Sequence, residues 1–445
     1  MPIRCILATI AGHSGQPNSR WRPRKRQTLS LVSRVPALAP FQVRSFRFQW
    51  PADLLASWAF EIEGIILGWF VLVATGSVLA LALFGSLQFL GTLVSPFYGM
   101  AGDRIGYRNL LCLMRLTYVA VALALMALFI SGLAAPVPIF LLATVMGLVR
   151  PSDITMRNLL VGETMPAPLL MRAMGVSRTT ADMARIAGAL TGAGLVAALG
   201  SGLAYVVVCA VYALSFLLTL NVGLRRVRVL GPPPVSMSPL QALREGFAYV
   251  WSTPDVRAAT LLAFLMNFAA YPIVGSLMAY VAKDIYGLDQ TGLGWLVASF
   301  SGGALLGSVV LSTHGAWIRP ARTMIACALA WFALNLVFSW IDSARAGEAV
   351  LFAAGFAQSF CMVPMAVILL RTADPAFRGR VMGVRMLAVY GLPLGLLLSG
   401  PLVEHLGFAV TGSLYSLVGI GFTLAIALRW REHLWRPGSP ANNRS

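Results

Sequence analysis

Long apolar runs, separated by brief polar breaks, recur along this chain and constrain its fold more than any other feature. A helix that crosses the hydrocarbon core of a bilayer needs about 20 consecutive apolar residues, which is the length of these runs. Of the 445 residues, 58% are hydrophobic and 11% are charged, whereas a soluble domain has about 25% charged residues. The chain has too little polar surface for a water-soluble globule. We therefore predict an all-α membrane protein that crosses the bilayer many times.

Twelve membrane-spanning helices are predicted, in two groups of six. They cover residues 51–74, 78–101, 109–131, 136–158, 178–200, 202–223, 257–280, 290–312, 322–342, 347–370, 380–401 and 405–428. The N-terminal half is residues 48–224 and the C-terminal half is residues 257–430. The linker, residues 225–256, contains three consecutive prolines, which cannot continue a helix. Its amphipathic stretch at 239–253 is either a helix on the cytoplasmic membrane surface or an early start of span seven.

The two ends of the chain differ in composition from the spans. Residues 1–47 contain neither Asp nor Glu and carry a basic cluster at 20–26. We predict that they form a disordered cytoplasmic tail; an organellar transit peptide or a start codon placed too far upstream are the alternatives. Residues 431–445 are predicted to form a C-terminal cytoplasmic tail.

Lys and Arg residues concentrate in alternate loops, which predicts the orientation of the protein. The outward loops at 75–78, 131–137, 200–202 and 404–408 contain neither residue. Under the positive-inside rule, this pattern places both termini in the cytoplasm. The inward segments carry Arg104, Arg108, Arg172, Arg178, Arg225, Arg226, Arg228, Arg244, Arg319, Arg322, Arg371, Arg378, Arg380, Arg429, Arg431 and Arg436. Positive charge in membrane proteins gathers in cytoplasmic loops, so for a chain with a net charge of +18 we expect a lipid bilayer, and no nucleic acid, as the partner.

A short internal repeat relates the two halves. The sequence R-A-M-G-V at 172–176 opens span five, and R-V-M-G-V at 380–384 opens span eleven. The starts of spans one and seven are separated by a similar number of residues. Two six-span halves related by duplication explain both spacings, and this plan is common in secondary transporters, whose substrate site lies between the halves.

The sequence G-M-A-G-D-R-I-G-Y-R at residues 99–108, between spans two and three, resembles a loop of the major facilitator superfamily. Tyr107 departs from that family's pattern, G-x-x-x-D-R-x-G-[RK]-[RK]. The resemblance extends over residues 48–430, and the layout is most similar to the branch of the enterobactin exporter and related multidrug efflux proteins. It implies a major facilitator-type fold of twelve helices in two pseudo-symmetric six-helix halves. The matching residues are Gly99, Asp103, Arg104, Gly106 and Arg108.

This loop is interpreted as a conformational latch. Gly106 permits a tight reversal of the chain, and Gly99 lets helices approach closely. The resemblance implies that Asp103 faces the positive N-terminal end of span eleven, where Arg380 also lies, while Arg104 and Arg108 hold the loop at the cytoplasmic face. The latch would stabilise an outward-open state. The alternative is a positive-inside loop with a structural Asp.

Span one contains two acidic residues, Glu61 and Glu63. An ionisable residue at the centre of a span costs roughly 2.5–3.5 kcal/mol on insertion scales, so it needs a partner or a function. Residues two apart on a helix point about 200° apart, so only one of the two can face a central cavity. Burial favours the neutral form of a carboxyl group, which suits a proton carrier. We predict that Glu61 or Glu63 couples transport to protons; the alternative is structural pairing with Arg150 or Arg185.

Further polar residues in the spans are candidates for the proton route and the cavity. Arg150 and Asp153 in span four are three residues apart and share one helix face. Asp182 and Arg185 in span five have the same spacing, and for them we favour a structural role near the cytoplasmic end. The expected cavity liners include Asn267, Tyr271 and Gln358. Few polar groups among aromatic and Met side chains suit a bulky amphipathic substrate, although such side chains can also serve only for packing.

These patterns predict a secondary transporter that exports an amphipathic small molecule in exchange for protons, by alternating access. We expect it to act as a monomer in a bacterial inner membrane, without a cofactor or a metal ion. A proton-coupled uptake symporter is the first alternative, and a non-transporting receptor or scaffold on the same fold is the second. An enzyme is not expected, because no nucleophile, metal-ligand or phosphate-loop pattern occurs in the spans. The sequence does not identify the substrate.

Overall fold

Helices form every regular element in the part of the chain that the computed structural model describes, which is residues 36–223, 239–314, 318–372, 384 and 387–434. A helix satisfies its own backbone hydrogen bonds, as the water-free interior of a bilayer requires. The first group, preceded by a 3-10 helix at Pro36–Gln42, is α1 Arg44–Thr75, α2 Val78–Leu87, α3 Gly91–Ile105, α4 Tyr107–Ile130, α5 Pro136–Thr164 and α6 Ala167–Leu220.

The second group is less regular at its start. Its first long helix is interrupted by π-helical turns at Met266–Ala270 and Val281–Ile285. The elements are α7 Pro239–Ser252, α8 Pro254–Leu265, α9 Tyr271–Val274, α10 Met278–Tyr280, α11 Gln290–His314, α12 Pro320–Phe338, α13 Ala344–Thr372, α14 Gly391–Leu406, α15 Phe408–Arg429 and α16 Arg431–Leu434.

Nine helical stretches of the described residues are long and apolar enough to cross a membrane. Predicted spans 178–200 and 202–223 run together in α6, where Gly200 alone leaves the helical conformation. Predicted span 78–101 is divided between α2 and α3. Predicted span 380–401 begins outside the described residues, and α14 starts at Gly391. The total of twelve spans therefore remains a prediction.

The division between α2 and α3 coincides with a close crossing of α5. A Cβ atom added to Gly91 would collide with the carbonyl oxygen of Leu148, and one added to Gly147 would collide with that of Leu87. The two backbones can touch here only because both positions lack a side chain. The sequence predicted one continuous helix because its hydropathy is unbroken at this point, whereas the break accompanies the packing against α5.

The packed part of the chain begins earlier than the predicted boundary at residue 47. Helix α1 starts at Arg44, and the ring of Phe46 contacts that of Phe41 with centroids 5.2 Å apart. Phe46 is buried in a small apolar cluster with Val161 and Met165 at the end of α5. Residues 36–47 are thus folded and not a disordered tail, because their aromatic side chains have an apolar surface to cover.

The amphipathic stretch of the linker forms a helix of its own. Helix α7 ends at Ser252, Thr253 is extended, and α8 starts at Pro254. The predicted helix is therefore separate from span seven. Val250 is buried against the second helix group, while Phe247 and Trp251 are exposed. Its contact with a membrane surface remains a prediction.

Buried apolar side chains form two large clusters that follow the chain order. One cluster is built from residues between 59 and 222, and the other mainly from residues between 250 and 427. Helices α2 and α14 pack against each other across the two groups, as do α6 and α11. This arrangement agrees with the predicted fold of two helical halves.

We expect Gly147→Val to destabilise the protein by about 3 kcal/mol, because the new side chain would force the backbones of α2 and α5 apart. The melting temperature of the detergent-purified protein measures this effect. Gly162→Val on the same helix is the matched control, since a Cβ at Gly162 meets no atom within 4 Å. Equal melting temperatures for the two variants would contradict the close crossing.

Candidate functional site

Glu63 is a buried carboxyl group inside the first half. Its side chain on α1 is 4% exposed. The hydroxyl of Tyr212, on α6, donates a hydrogen bond of 2.8 Å to its Oε2. Its Oε1 has no hydrogen-bond partner among the described residues. Glu63 therefore has a neutral partner on one oxygen and an unsatisfied second oxygen.

Glu61 points in another direction and has positively charged neighbours. Its side chain is 25% exposed, and its Oε1 lies 3.7 Å from the guanidinium of Arg150 and 3.8 Å from Nε of Arg185. The opposing residue on α6 is Gly188, which allows the two backbones to approach. Both distances are longer than a charge-assisted hydrogen bond. The structure thus brings Arg185 next to Glu61, a pairing that the sequence left open, although the spacing of Arg185 and Asp182 favoured a structural pair between those two.

Arg150 is part of the lining of a small cavity in the first half. Its guanidinium stacks on the ring of Phe60 and donates a hydrogen bond of 2.9 Å to Oε1 of Gln88. Glu63 and Gly64 are part of the lining of the same cavity. Arg150 therefore stands between Glu61, which is partly exposed, and the buried Glu63.

Asp153, which shares a predicted helix face with Arg150, has its ion pair elsewhere. It forms an ion pair with Arg157, one turn further along α5. Asp53 of α1 pairs with Arg115 of α4 and lies 3.7 Å from Arg157. Asp153 is 1% exposed, so it belongs to a buried cluster of four charges and does not line a cavity between the halves.

Three members of this charge cluster were not singled out from the sequence: Asp53, Arg115 and Arg157. All three lie within predicted spans, and the search for ionisable residues in spans would have found them. Arg115 also donates hydrogen bonds to the hydroxyls of Ser215 at 2.9 Å and Thr219 at 2.7 Å on α6. The cluster therefore joins α1, α4, α5 and α6 by polar contacts.

Two of the candidates in the second half meet each other. Gln358 Nε2 donates a 2.7 Å hydrogen bond to the Tyr271 hydroxyl. Tyr271 packs edge-on against Trp331 and lies within electrostatic range of Arg185 in the first half. Asn267 lies one turn earlier, where its side-chain amide donates to a backbone carbonyl of its own helix at 2.8 Å. The site therefore draws polar groups from both halves.

The predicted latch loop is shorter than its sequence suggested. Residues 99–105 continue α3, and Gly106 alone, with φ 88° and ψ 138°, separates α3 from α4. Arg104 is exposed, and Arg108 donates a hydrogen bond to the carbonyl oxygen of Leu220. The side chain of Asp103 and the whole of Arg380 lie outside the described residues. The contact between them remains a prediction.

The two halves are joined at the opposite end of the helices by Glu404. Its Oε1 accepts hydrogen bonds from the Ser77 hydroxyl at 2.8 Å and from the backbone N–H of Leu79 at 3.2 Å. Ser77 precedes α2 and Glu404 is near the end of α14, so a carboxylate of one half covers a helix N-terminus of the other. Both residues fall in loops predicted to face outward.

Among the described residues, no group of three or more His, Cys, Asp or Glu side chains is arranged to hold a metal ion. The polar groups of the site are carboxyl, guanidinium, amide and phenol groups. The carboxyl groups can bind and release protons, and all of these groups can hydrogen-bond a small molecule.

Apolar helices in two packed groups, with charged side chains buried among them, define a multi-pass integral membrane protein. The chain matches the family model of the Major Facilitator Superfamily over residues 50–389 and again over residues 260–444, and it belongs to that family of transporters.

One curated relative is the multidrug efflux pump Tap of Mycolicibacterium fortuitum. It is 26% identical over 196 residues, which are 43% of this chain and 47% of the relative. The aligned part is thus about half the length of that protein.

Solved structures of several transporters share the fold at low identity. A bacterial homolog of the human lysosomal transporter Spinster, inward-facing and unoccupied, has a TM-score of 0.68 at 14% identity and covers 90% of this chain and 99% of its own. An auto-inhibited POT family peptide transporter has a TM-score of 0.70 at 14% identity and covers 90% of this chain and 99% of its own. A D-xylose-proton symporter has a TM-score of 0.66 at 13% identity and covers 87% of this chain and 97% of its own.

We expect Arg115→Met to destabilise the protein by about 3–5 kcal/mol, because it leaves a buried carboxylate of Asp53 short of a partner. The double variant Arg115→Met with Asp53→Leu should regain a large part of that loss, since it removes both charges. Melting temperatures of the purified variants measure both effects, with the exposed Arg44→Met as control. A double variant less stable than Arg115→Met alone would contradict this account of the cluster.

Proposed function

We propose that the protein is a proton-coupled exporter of an amphipathic small molecule that works by alternating access of two six-helix halves, residues 48–224 and 257–430, joined by the linker 225–256. The observation that carries the proposal is the buried carboxyl group of Glu63, whose hydrogen-bond partner is the neutral hydroxyl of Tyr212. A buried ionisable group in a membrane span points to function.

Glu63 is better suited than Glu61 to carry the proton. Glu61 lies beside the guanidinium groups of Arg150 and Arg185, so its carboxyl group already has two charged partners. Glu63 lines a cavity together with Arg150, but its hydrogen-bond partner is the hydroxyl of Tyr212, and among the described residues it forms no ion pair. Glu63 can therefore gain and lose a proton without breaking an ion pair, and Glu61 is assigned to the cargo site.

The cargo site is proposed to lie between the halves, around Glu61, Arg185, Tyr271 and Gln358. Its polar groups are few and stand beside aromatic rings such as that of Trp331, which suits a cargo with both polar and apolar parts. The direction of export is supported by the name of the relative Tap, a multidrug efflux pump. Uptake by proton symport is the alternative to export, and the transport experiments below distinguish the two.

Alternating access requires contacts that form on one side at a time. Glu404 is proposed to close the outer side, and the latch of Gly99, Asp103, Arg104, Gly106, Arg108 and Arg380 is proposed to close the inner side. The charge of the loops supports cytoplasmic termini. The bacterial source of Tap supports a bacterial inner membrane, and we propose that the protein acts as a monomer with protons and a small molecule as its partners.

We expect Glu63→Gln to abolish proton-coupled transport, because an amide cannot take up the proton. Vesicles that contain the purified protein are given a pH gradient, with ethidium as the probe cargo, and ethidium and proton movements are followed by fluorescence. Glu61→Gln should weaken ethidium transport while the remaining transport stays coupled. The exposed Glu432→Gln is the control.

If ethidium transport stayed fully coupled to protons in both Glu61→Gln and Glu63→Gln, neither glutamate would be the proton carrier. Ethidium movement down the proton gradient in the same direction as protons would overturn export in favour of symport. A wild-type protein that moves no ethidium under any gradient would contradict the proposed cargo class.

We expect Glu404→Gln and Asp103→Asn to shift the two states in opposite directions. Ala82 is fully buried where α2 packs on α14, so a cysteine introduced by Ala82→Cys reacts with a membrane-impermeant maleimide only when the outer side opens. Adding Glu404→Gln should speed labelling by about tenfold, as expected from a charge-assisted hydrogen bond of about 1.5 kcal/mol. Asp103→Asn should slow labelling. If both variants changed the labelling rate in the same direction, the proposal that Glu404 closes the outer side and the latch closes the inner side would be wrong.

A further inference from the structure

We propose that a hydrated proton route runs through the interior of the first half, from Glu63 past Tyr212 and Tyr118 to Asp153 and Asp53. The route is separate from the space between the halves in which the cargo is proposed to bind. This inference rests on the proposed function, because it supplies the path by which the proton of Glu63 exchanges with the cytoplasmic side.

The residues of the route follow one another along the helices. The Tyr212 hydroxyl donates to Glu63, and the ring of Tyr212 lies 5.5 Å from the ring of Tyr118, centroid to centroid. Tyr118 follows Arg115 by three residues on α4 and so lies on the same face of that helix, and Arg115 pairs with Asp53. Asp153 and Asp53 share the guanidinium of Arg157. These residues, called the file below, lead from the middle of α1 to its beginning. The beginning of α1 is the end that the loop charges assign to the cytoplasm.

Several buried polar atoms along this file have no partner. Such atoms are uncommon in proteins, and each costs about 1–3 kcal/mol when it stays unsatisfied. Buried water molecules usually provide the missing hydrogen bonds. Within the described residues, the atoms of this kind on members of the file and its two arginines are Glu63 Oε1, Tyr118 OH, Asp153 Oδ1, Arg115 Nε and Arg157 Nε. Their succession along the file indicates water as a common partner.

A cavity beside Glu63 provides room for such water. It is lined by residues of α1, α2 and α5, and the volume open to the centre of a water molecule is about 20 Å³. That volume suffices for one or two water molecules. The unsatisfied Oε1 of Glu63 belongs to this lining, as does Gly64, where an added Cβ would meet no atom within 4 Å. The cavity is thus large enough to hydrate the end of the route at Glu63.

Arg150 lines this cavity and also faces Glu61. Its guanidinium is held by Phe60 and Gln88 and lies 3.7 Å from Oε1 of Glu61. A fixed positive charge repels a proton. The proton of Glu63 therefore exchanges along the tyrosine file and not past Arg150 towards Glu61, which keeps the proton away from the proposed cargo site.

The chemistry of the file suits proton relay. A hydroxyl group or a water molecule accepts a proton on its oxygen and releases its own hydrogen to the next acceptor, so each ends unchanged. One proton leaves the Glu63 carboxyl group, and one is released to water at the Asp53 end of the file, where the Asp53 side chain is partly exposed. Arg115 and Arg157 hold the carboxylates of Asp53 and Asp153 in their ion pairs throughout.

The test follows the protonation of Glu63 in the full-length protein without any cargo. The infrared band of its protonated carboxyl group is identified by its loss in Glu63→Gln, and its response to a rapid pH jump is recorded in detergent. We expect Tyr118→Phe to slow this response by about tenfold, which corresponds to about 1.4 kcal/mol in the barrier. Gly64→Ala should also slow it, because the added methyl group excludes the water.

Matched controls separate the route from general effects of substitution. Tyr415→Phe removes a buried hydroxyl of the second half, which donates to the Gly395 carbonyl at 2.6 Å. Gly68→Ala adds a methyl group one turn beyond Gly64, where a Cβ also meets no atom within 4 Å. Both controls should respond as fast as the wild-type protein, and melting temperatures establish that all variants are folded.

The outcomes distinguish this inference from the proposed function. If Tyr118→Phe responds as fast as Tyr415→Phe while Glu63→Gln abolishes coupled transport, the tyrosines serve only for packing and the route is wrong, although Glu63 still carries the proton. If the Glu63 band does not respond to pH and Glu63→Gln transports with full coupling, the proposed function itself fails.

Discussion

The exclusion of water from the hydrocarbon core is the constraint on which the rest of this structure depends. It requires every backbone group to find its partner within a helix, and it makes each buried charge expensive unless another charge or hydrogen bond compensates it. The first half meets this requirement with a neutral cluster in which Asp53 and Asp153 face Arg115 and Arg157. That cluster ties α1, α4, α5 and α6 together, so the positions of Glu61 and Glu63 on α1 follow from it.

The two glutamates of α1 illustrate how packing gives equal residue types unequal roles. Glu61 lies opposite Gly188, beside two guanidinium groups, whereas Glu63 is enclosed with Tyr212 and a small cavity. The tight crossing at Gly91 and Gly147 brings α2 and α5 to that cavity and divides α2 from α3. The same crossing therefore shapes the surroundings of Glu63 and interrupts a helix whose sequence is evenly apolar.

Much of the fold followed from hydropathy, because the thickness of a bilayer imposes a length on each apolar run. The break at Gly200 and the separate helix α7 were predicted from glycine and proline positions and from amphipathic spacing. The ion pair of Asp153 with Arg157 was not, because Arg157 was not singled out although it lies one turn further along α5, and its link to Asp53 depends on how α1 packs against α5. The folded segment before residue 48 was missed as well, because its aromatic residues reveal their role only once the end of α5 is beside them.

By itself the sequence determined the class of protein, the approximate places of the spans and the distribution of loop charge, since these depend on local composition and on the bilayer. It also showed that Glu61 and Glu63 must point apart, because the pitch of a helix requires it. Only the tertiary structure decided which glutamate faces arginines and which faces a tyrosine, and that Glu404 of one half covers the N-terminus of a helix in the other. These contacts join residues far apart in the chain, and their geometry depends on how whole helices pack.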